Sequence, residues 1–205
     1  MIENEKDTLN LLLNVAREEF LERGYQMASL RTIAKKAGLT TGALYGHFKN
    51  KESLFDEIVG RDYNNILNMY KDILSEFKNI QEEQHQPNMV IKTKPGMMEM
   101  KKYIYSHRDS FKLILCCAEG TKYNNLVHEM AKLDADATHD FAENSGNLGV
   151  TLNPVNQNLE HMLISGMFST FFEMIIHDIP EDEAEEYTEQ LLTFYAAGWS
   201  AVMGI

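Results

Sequence analysis

The chain has 205 residues, enough for one sizeable core or for a small module joined to a larger one. Its apolar runs are broken by polar residues before they reach membrane-spanning length and its N-terminus is polar and acidic, so the expectation is a cytoplasmic protein with no membrane partner. Its only cysteines, Cys116 and Cys117, are adjacent, which excludes a disulfide framework or a zinc knuckle, and the net charge of −12 speaks against a nucleic-acid partner until its distribution is read.

Two-residue alternation is rare and the four prolines, at 87, 95, 154 and 180, lie in polar stretches, so the chain reads as all-α with prolines between helices. A first helix is predicted over Asp7 to Arg23, with Leu9, Leu12, Leu13, Ala16 and Phe20 on one face and Gly24 as its stop. Three short segments follow to about Phe48. Asn50 then caps a long helix through Leu54, Ile58, Tyr63, Ile66, Met69, Ile73 and Phe77 to about Gln84. Gln81 to Gly96 is polar with two prolines and reads as a loop; later helices are expected at about Met97–His107, Ser110–Glu119, Thr121–Asn144, Val155–His177 and Glu181–Met203. Charge divides the same way. Arg23 to Lys51 holds six basic residues and no acid, whereas residues 56–205 hold 11 of the 19 Lys/Arg and 24 of the 31 Asp/Glu. A short basic island on an acidic body is the footprint of a small DNA-binding module, which divides the chain into residues 1–50 for DNA and residues 51–205 for other work.

The segment Ser29 to Phe55, SLRTIAKKAGLTTGALYGHFKNKESLF, supplies that module's chemistry. Ser29 can cap a short helix with Leu30, Ile33, Ala34 and Ala37 inward; Gly38 supplies a left-handed turn; Leu39 fills the corner; Thr40 caps a second helix from Thr41 to about Gly46 with Leu44 and Phe48 inward. Helix, glycine turn and helix make a helix-turn-helix, whose second helix fits the major groove. Arg31, Tyr45, His47 and Lys51 offer hydrogen-bond donors or charge to phosphates, and Gly42 lets the backbone lie close to DNA.

These residues resemble the TetR (tetracycline repressor-like) family. The resemblance rests on F-x-x-x-G-Y at Phe20 to Tyr25 and on I-A-x-x-A-G-[VL]-[ST]-x-G-x-L-Y-x-H-F-x-x-K-E-x-L from Ile33 to Leu54, and it covers about residues 9 to 55. It implies a three-helix DNA-binding domain joined by a long helix to a larger helical ligand-binding and dimerisation domain. It implies that Thr40, Thr41, Gly42 and Tyr45 reach base edges and nearby phosphates, and that Arg31, His47 and Lys51 anchor phosphates. Thr41 stands where the family often has Lys or Arg, and Gly46 where a larger polar residue is common. With no Arg, Lys, Asn or Gln on the recognition helix, direct readout per half-site is expected to be weak and biased toward thymine methyls, with DNA shape and dimer spacing adding specificity.

Other chemistries fare worse. Neighbouring cysteines on a helix point about a hundred degrees apart, no nucleophile signature accompanies the seven histidines, and His128 and His139 are too far apart along one helix to share a metal, so neither an enzyme nor a metal or cofactor site is expected. The last two helices carry stripes at Leu159, Leu163, Gly166, Thr170 and at Leu191, Tyr195, Gly198, Val202, rich in small residues, which suit a four-helix bundle between two copies; in the family this is the dimer interface. The expected function is a homodimeric regulator, a repressor released from a palindromic double-stranded operator by an unidentified small molecule; the alternative is a DNA-binding accessory protein with no effector. Pocket candidates, chosen as aromatic, soft or singly polar residues on inward faces, are Tyr70, Tyr103, His107, Phe111, Cys116, Met130, Met167 and Phe171.

Overall fold

Helix boundaries follow the capping residues. The computed structural model describes residues 2–84, 89–145 and 153–204, and every regular element among them is helical. α1 spans Ile2–Met27, starting earlier than expected, and its helical geometry breaks at Gly24 (φ 70°, ψ 163°), where the sequence places its stop. α2 is Leu30–Lys36 and α3 Thr41–His47. α4, Lys51–Gln84, starts with a reciprocal cap: Asn50 Oδ1 accepts from the Ser53 amide at 2.7 Å while Ser53 Oγ donates to the Asn50 carbonyl at 3.0 Å. α5 is Met89–Ser106 and α6 Arg108–Lys112; a π-turn over Leu113–Cys117 and a 3-10 turn over Lys122–Asn125 lead into α7, Leu126–Ser145, followed by α8, Gln157–Ile176, and α9, Glu181–Met203.

One expectation is corrected. The polar stretch from Gln81 to Gly96 reads as a loop, but α4 continues to Gln84 and α5 begins at Met89, with Pro95 inside it; Pro87 lies outside the described residues. A proline within a helix costs about 3 kcal/mol through one lost hydrogen bond and a clash with the preceding turn. Tertiary packing offsets it. Met97, Met100 and Ile104 are buried, and Gly96 lies so close to Ile73 that an added Cβ would sit 2.4 Å from Cγ1.

The chain packs as two units. The first comprises Met1–Asn64 with His107–Leu126, the second Asn65–Ser106 with Val127–Ile205. The packing boundary falls within α4, because residues 107–126 return to pack with α1 and the start of α4. In the first unit Leu12, Ala16, Phe20, Ile33, Leu44, Leu54 and Phe55 are fully buried. Aromatic rings link the parts: Phe55 meets Phe20 edge-on at 5.0 Å and Tyr123 at 5.9 Å, and Tyr123 meets Tyr63 at 5.0 Å. Burying each such side chain contributes roughly 2 kcal/mol. Tyr123 Oη also donates to Asp56 Oδ1, and Lys122 pairs with Asp56 at 3.0 Å, fastening the 3-10 turn to α4.

In the second unit α5 packs along α9. Buried Lys101 reaches Glu185 at 3.3 Å, Lys94 reaches Glu189 at 2.7 Å, and Tyr105 donates to the Ile179 carbonyl at 3.0 Å. α8 packs on α9, where Thr188 Oγ1 lies 3.8 Å from Met174 Sδ and Tyr195 Oη approaches Gly166; Ile164, Phe168, Phe171, Phe172 and Ile175 are among the buried residues of α8. It is the one described helix long and apolar enough to cross a membrane by length and composition, whereas the sequence leads one to expect every apolar run to stop short of that length.

Candidate nucleic-acid interface

The geometry of the head begins with short-range caps. Ser29 Oγ accepts from the Thr32 amide and Thr40 Oγ1 from the Ala43 amide at 3.1 Å, starting α2 and α3. Between them Gly38, at φ 70°, closes α2: the Leu39 amide donates to the Ala34 carbonyl at 2.8 Å and the Gly38 amide to the Lys35 carbonyl at 3.2 Å, the paired bonds of a Schellman turn. A side chain at residue 38 would be strained there, so glycine sets the angle between the helices.

That angle turns Leu44 and Phe48 inward and leaves Thr40, Gly42, Tyr45 and His47 exposed, with Tyr45 52% accessible and Thr41 half-buried. No atom crowds Gly46, and Gly42 meets only Thr40 Oγ1 at 3.9 Å, so the outer surface of α3 is shallow. Arg31 is exposed on the adjoining start of α2. Of the seven residues expected to contact DNA, Arg31, Thr40, Gly42, Tyr45 and His47 are thus exposed and Thr41 is half-buried, and none of these six donates a side-chain hydrogen bond among the described residues.

Lys51 is the exception. Its ammonium donates to the carbonyls of Gln26 at 2.9 Å and Ala28 at 3.1 Å and lies 4.8 Å from the Tyr25 ring centre, and burial lowers its pKa. Here it closes the frayed end of α1, so any phosphate would compete for one remaining proton donor. Lys36 is similarly engaged, 2.9 Å from the nearly buried Glu19 and 3.7 Å from Glu22, and Arg23 pairs with Glu22 at 3.0 Å. Among the described residues Arg31, Lys35 and Lys49 have no ion-pair partner. Lys35 and Lys49 belong to the basic island but not to the set that the sequence assigns to DNA; their exposure is what marks them.

The pocket candidates divide between the two units. His107, Phe111 and Cys116 fall in the first unit, and Tyr70, Tyr103, Met130, Met167 and Phe171 in the second. Cys116 is exposed on the π-turn, and burial first, then Cys116, push the half-buried Cys117 thiol up, away from the thiolate form a nucleophile needs. His107 is exposed, whereas Phe111, Met130 and Phe171 are core. Tyr103 accepts a hydrogen bond from Asn65 at 2.8 Å. Of the interface candidates, Leu159 and Val202 are exposed at 42% and 36%, Thr170 and Gly198 are exposed, and Leu163, Gly166, Leu191 and Tyr195 are half-buried. Met162 at 61% and Phe194 at 70% widen that apolar face, and an open groove of ≈ 510 Å³ between α8 and α9 includes Thr170, Leu191 and Phe194.

Comparison with known proteins gives the head a context. The family described as bacterial regulatory proteins, tetR family, matches residues 12–58. The HTH-type transcriptional repressor KstR2 of Rhodococcus jostii (strain RHA1) is 39% identical over 64 residues, 31% of each chain. The Transposon Tn10 TetC protein of Escherichia coli is 52% identical over 52 residues, 25% of this chain and 26% of that protein. These matches span a third or less of the relatives' length. Over nearly the whole chain the fold is that of the ketosteroid transcriptional regulator KstR2 of Mycobacterium tuberculosis (TM-score 0.60, 20% identity, 93% of both chains). The TetR family transcriptional regulator PfmR from Thermus thermophilus gives the same TM-score of 0.60 at 18% identity, covering 90% of this chain and 93% of that one.

Proposed function

We propose that the chain, whose residues 12–58 match the family of bacterial regulatory proteins described as tetR, is a homodimeric DNA-binding transcription regulator, a repressor that leaves a palindromic operator when a small molecule binds residues 51–205. The observation that carries this is the accessible face of α3 with Arg31 beside it, fixed by the Gly38 turn. Tyr45, His47 and Arg31 position the head on phosphates, and Thr40, Thr41 and Gly42 lie against base edges. A single head offers too few base contacts for genomic specificity, and two heads on a two-fold axis double them. The exposed apolar stripe of α8 and α9 supports that pairing, since Leu159, Met162, Phe194 and Val202 lie uncovered among the described residues and another chain would cover them. The effector part rests on the likeness in fold, which extends beyond the head.

Selection of oligonucleotides from a random pool by the full chain tests this reading. A two-fold-symmetric motif with half-sites about one helical turn or somewhat more apart is the expected product. Recovery of sequences with no shared motif would overturn it.

A further inference from the structure

Inside the second unit lies a pair of carboxyls that folding alone does not explain. Asp134 on α7 accepts hydrogen bonds from Tyr70 Oη and from Thr138 Oγ1, the latter at 3.3 Å, and both donors are neutral. Glu160, in the first turn of α8, is 3% exposed; its Oε2 is 2.8 Å from His139 Nε2, and its Oε1 is buried with no donor among the described residues. His139, on the next turn of α7 after Asp134, is thus the only basic side chain among the described residues that touches either carboxyl, and it is half-exposed. Burial above all, with a further push from Glu160, raises the Asp134 carboxyl to about 6. The surroundings are apolar. The Tyr70 ring meets Phe168 edge-on at 4.9 Å, and Met130, one turn before Asp134, is fully buried.

A buried carboxylate oxygen without a donor is a cost that selection for stability alone removes, because an apolar replacement of similar size does as well or better. We propose that this cluster binds an organic cation that carries N–H donors, a protonated amine on an apolar body, with its ammonium on Glu160 Oε1 and Asp134 and its body along Tyr70 and Phe168. Each feature of the class answers a feature of the site. The unpaired oxygen requires a hydrogen-bond donor, which a quaternary ammonium lacks. Two acidic groups against one half-exposed histidine require positive charge. No three His, Cys, Asp or Glu side chains converge as metal ligands among the described residues, which favours an organic cation over a metal ion. The aromatic edges suit an apolar or aryl body and add attraction for a cation lying near their faces. This deepens the effector half of the proposed function and depends on it only for the ligand's regulatory role; the site stands on its own geometry.

Calorimetric titration of the full chain with phenylbutylamine, the uncharged phenylbutanol and the trimethylated quaternary analogue tests the assignment. The primary amine is expected to bind at least about tenfold more tightly than either analogue, and Glu160→Gln and Asp134→Asn should each lower its affinity by roughly tenfold while leaving the alcohol's unchanged. Amine and alcohol binding alike, no heat from the amine, or full amine affinity in both variants would overturn the proposal. The comparison of ligands on the unsubstituted chain decides the matter even if one variant fails to fold. Operator binding by that same unsubstituted preparation is measured alongside: its absence would count against the DNA-binding reading and leave the amine result to be judged by itself.

Discussion

Replacing Asp134 with Asn should stabilise the protein at neutral pH. Asparagine keeps the shape, its carbonyl oxygen accepts the Tyr70 hydrogen and its amide meets Thr138 Oγ1, so neither neutral partner is abandoned. What disappears is a charge on a carboxyl that burial, above all, pushes up to about 6 against 3.8 in a free side chain. Because the folded value is the higher one, the native state between about pH 4 and 6 keeps a proton that the unfolded chain releases. The carboxyl's contribution is therefore most favourable at low pH and is lost as pH rises through that interval. A gap of about two pH units corresponds to roughly 3 kcal/mol, and partial solvent contact of Asp134 trims the expected gain to ~1–3 kcal/mol. Urea unfolding near pH 7.5 should place the variant above the parent by that amount, and near pH 4.5 the advantage should shrink by about two-thirds. A variant less stable than the parent at neutral pH, or an advantage independent of pH, would refute the claim that an uncompensated buried charge sits there. Gain of stability together with loss of amine binding is the signature of a group kept for function.

The DNA head and the dimer face make four further claims. Lys51→Ala should lower stability by ~1–2 kcal/mol in thermal or urea unfolding, since two carbonyls at the end of α1 lose their donor; an unchanged midpoint would contradict the capping role. Tyr45→Phe should weaken binding to all sequences about equally while Thr41→Ala reorders affinity among operator variants, and competition titrations in which the two behave alike would dissolve the distinction between phosphate and base contacts. With Arg31, Lys35 and Lys49 unpaired on each of two heads, the slope of log affinity against log salt should be about −5, and a slope near −10 would mean that Lys36 and Lys51 leave their partners on binding. Gly198→Arg meets open space within one protomer, so the variant should remain folded yet sediment as a monomer; a folded dimer with parental operator affinity would displace the interface from α9.

Local chemistry is legible in the sequence, and chemistry that needs distant partners is not. The caps at Ser29, Thr40 and Asn50 and the left-handed turn at Gly38 depend on residues within five positions, so spacing alone places α2, α3 and the start of α4. Lys51 also stands at a helix start, but its partners are the carbonyls of Gln26 and Ala28, some twenty-five residues back, and nothing local distinguishes it from a phosphate ligand. Pro95 reads as punctuation because its intrinsic cost is large; the packing that offsets it, Gly96 against Ile73, joins two different helices. Residue type alone selects the pocket candidates, so they mix environments: Cys116 and His107 are soft or polar but exposed, and Phe111 and Met130 are core. Asp134 stays hidden in the sequence because a carboxylate on an amphipathic helix resembles a solvated one. Glu160 does leave a signal: it is the one acid between Gln157 and Phe172, within the most apolar helix of the chain.

α8 concentrates the consequences of that signal. Its inward face carries Glu160, Ile164, Phe168 and Phe171, and its outward face carries Leu159, Met162 and Thr170, so a helix that is apolar nearly all round needs cover on both sides. A ligand held by Glu160 therefore acts on the same rigid element that, in the proposed dimer, sets how two chains meet. In the proposed regulator a ligand can change how two chains meet only as far as it binds one arrangement more tightly than the other. A buried charge without a partner creates such a difference: the arrangement that admits a cation to Glu160 Oε1 gains a strong hydrogen bond on binding, and one that shuts it out gains nothing.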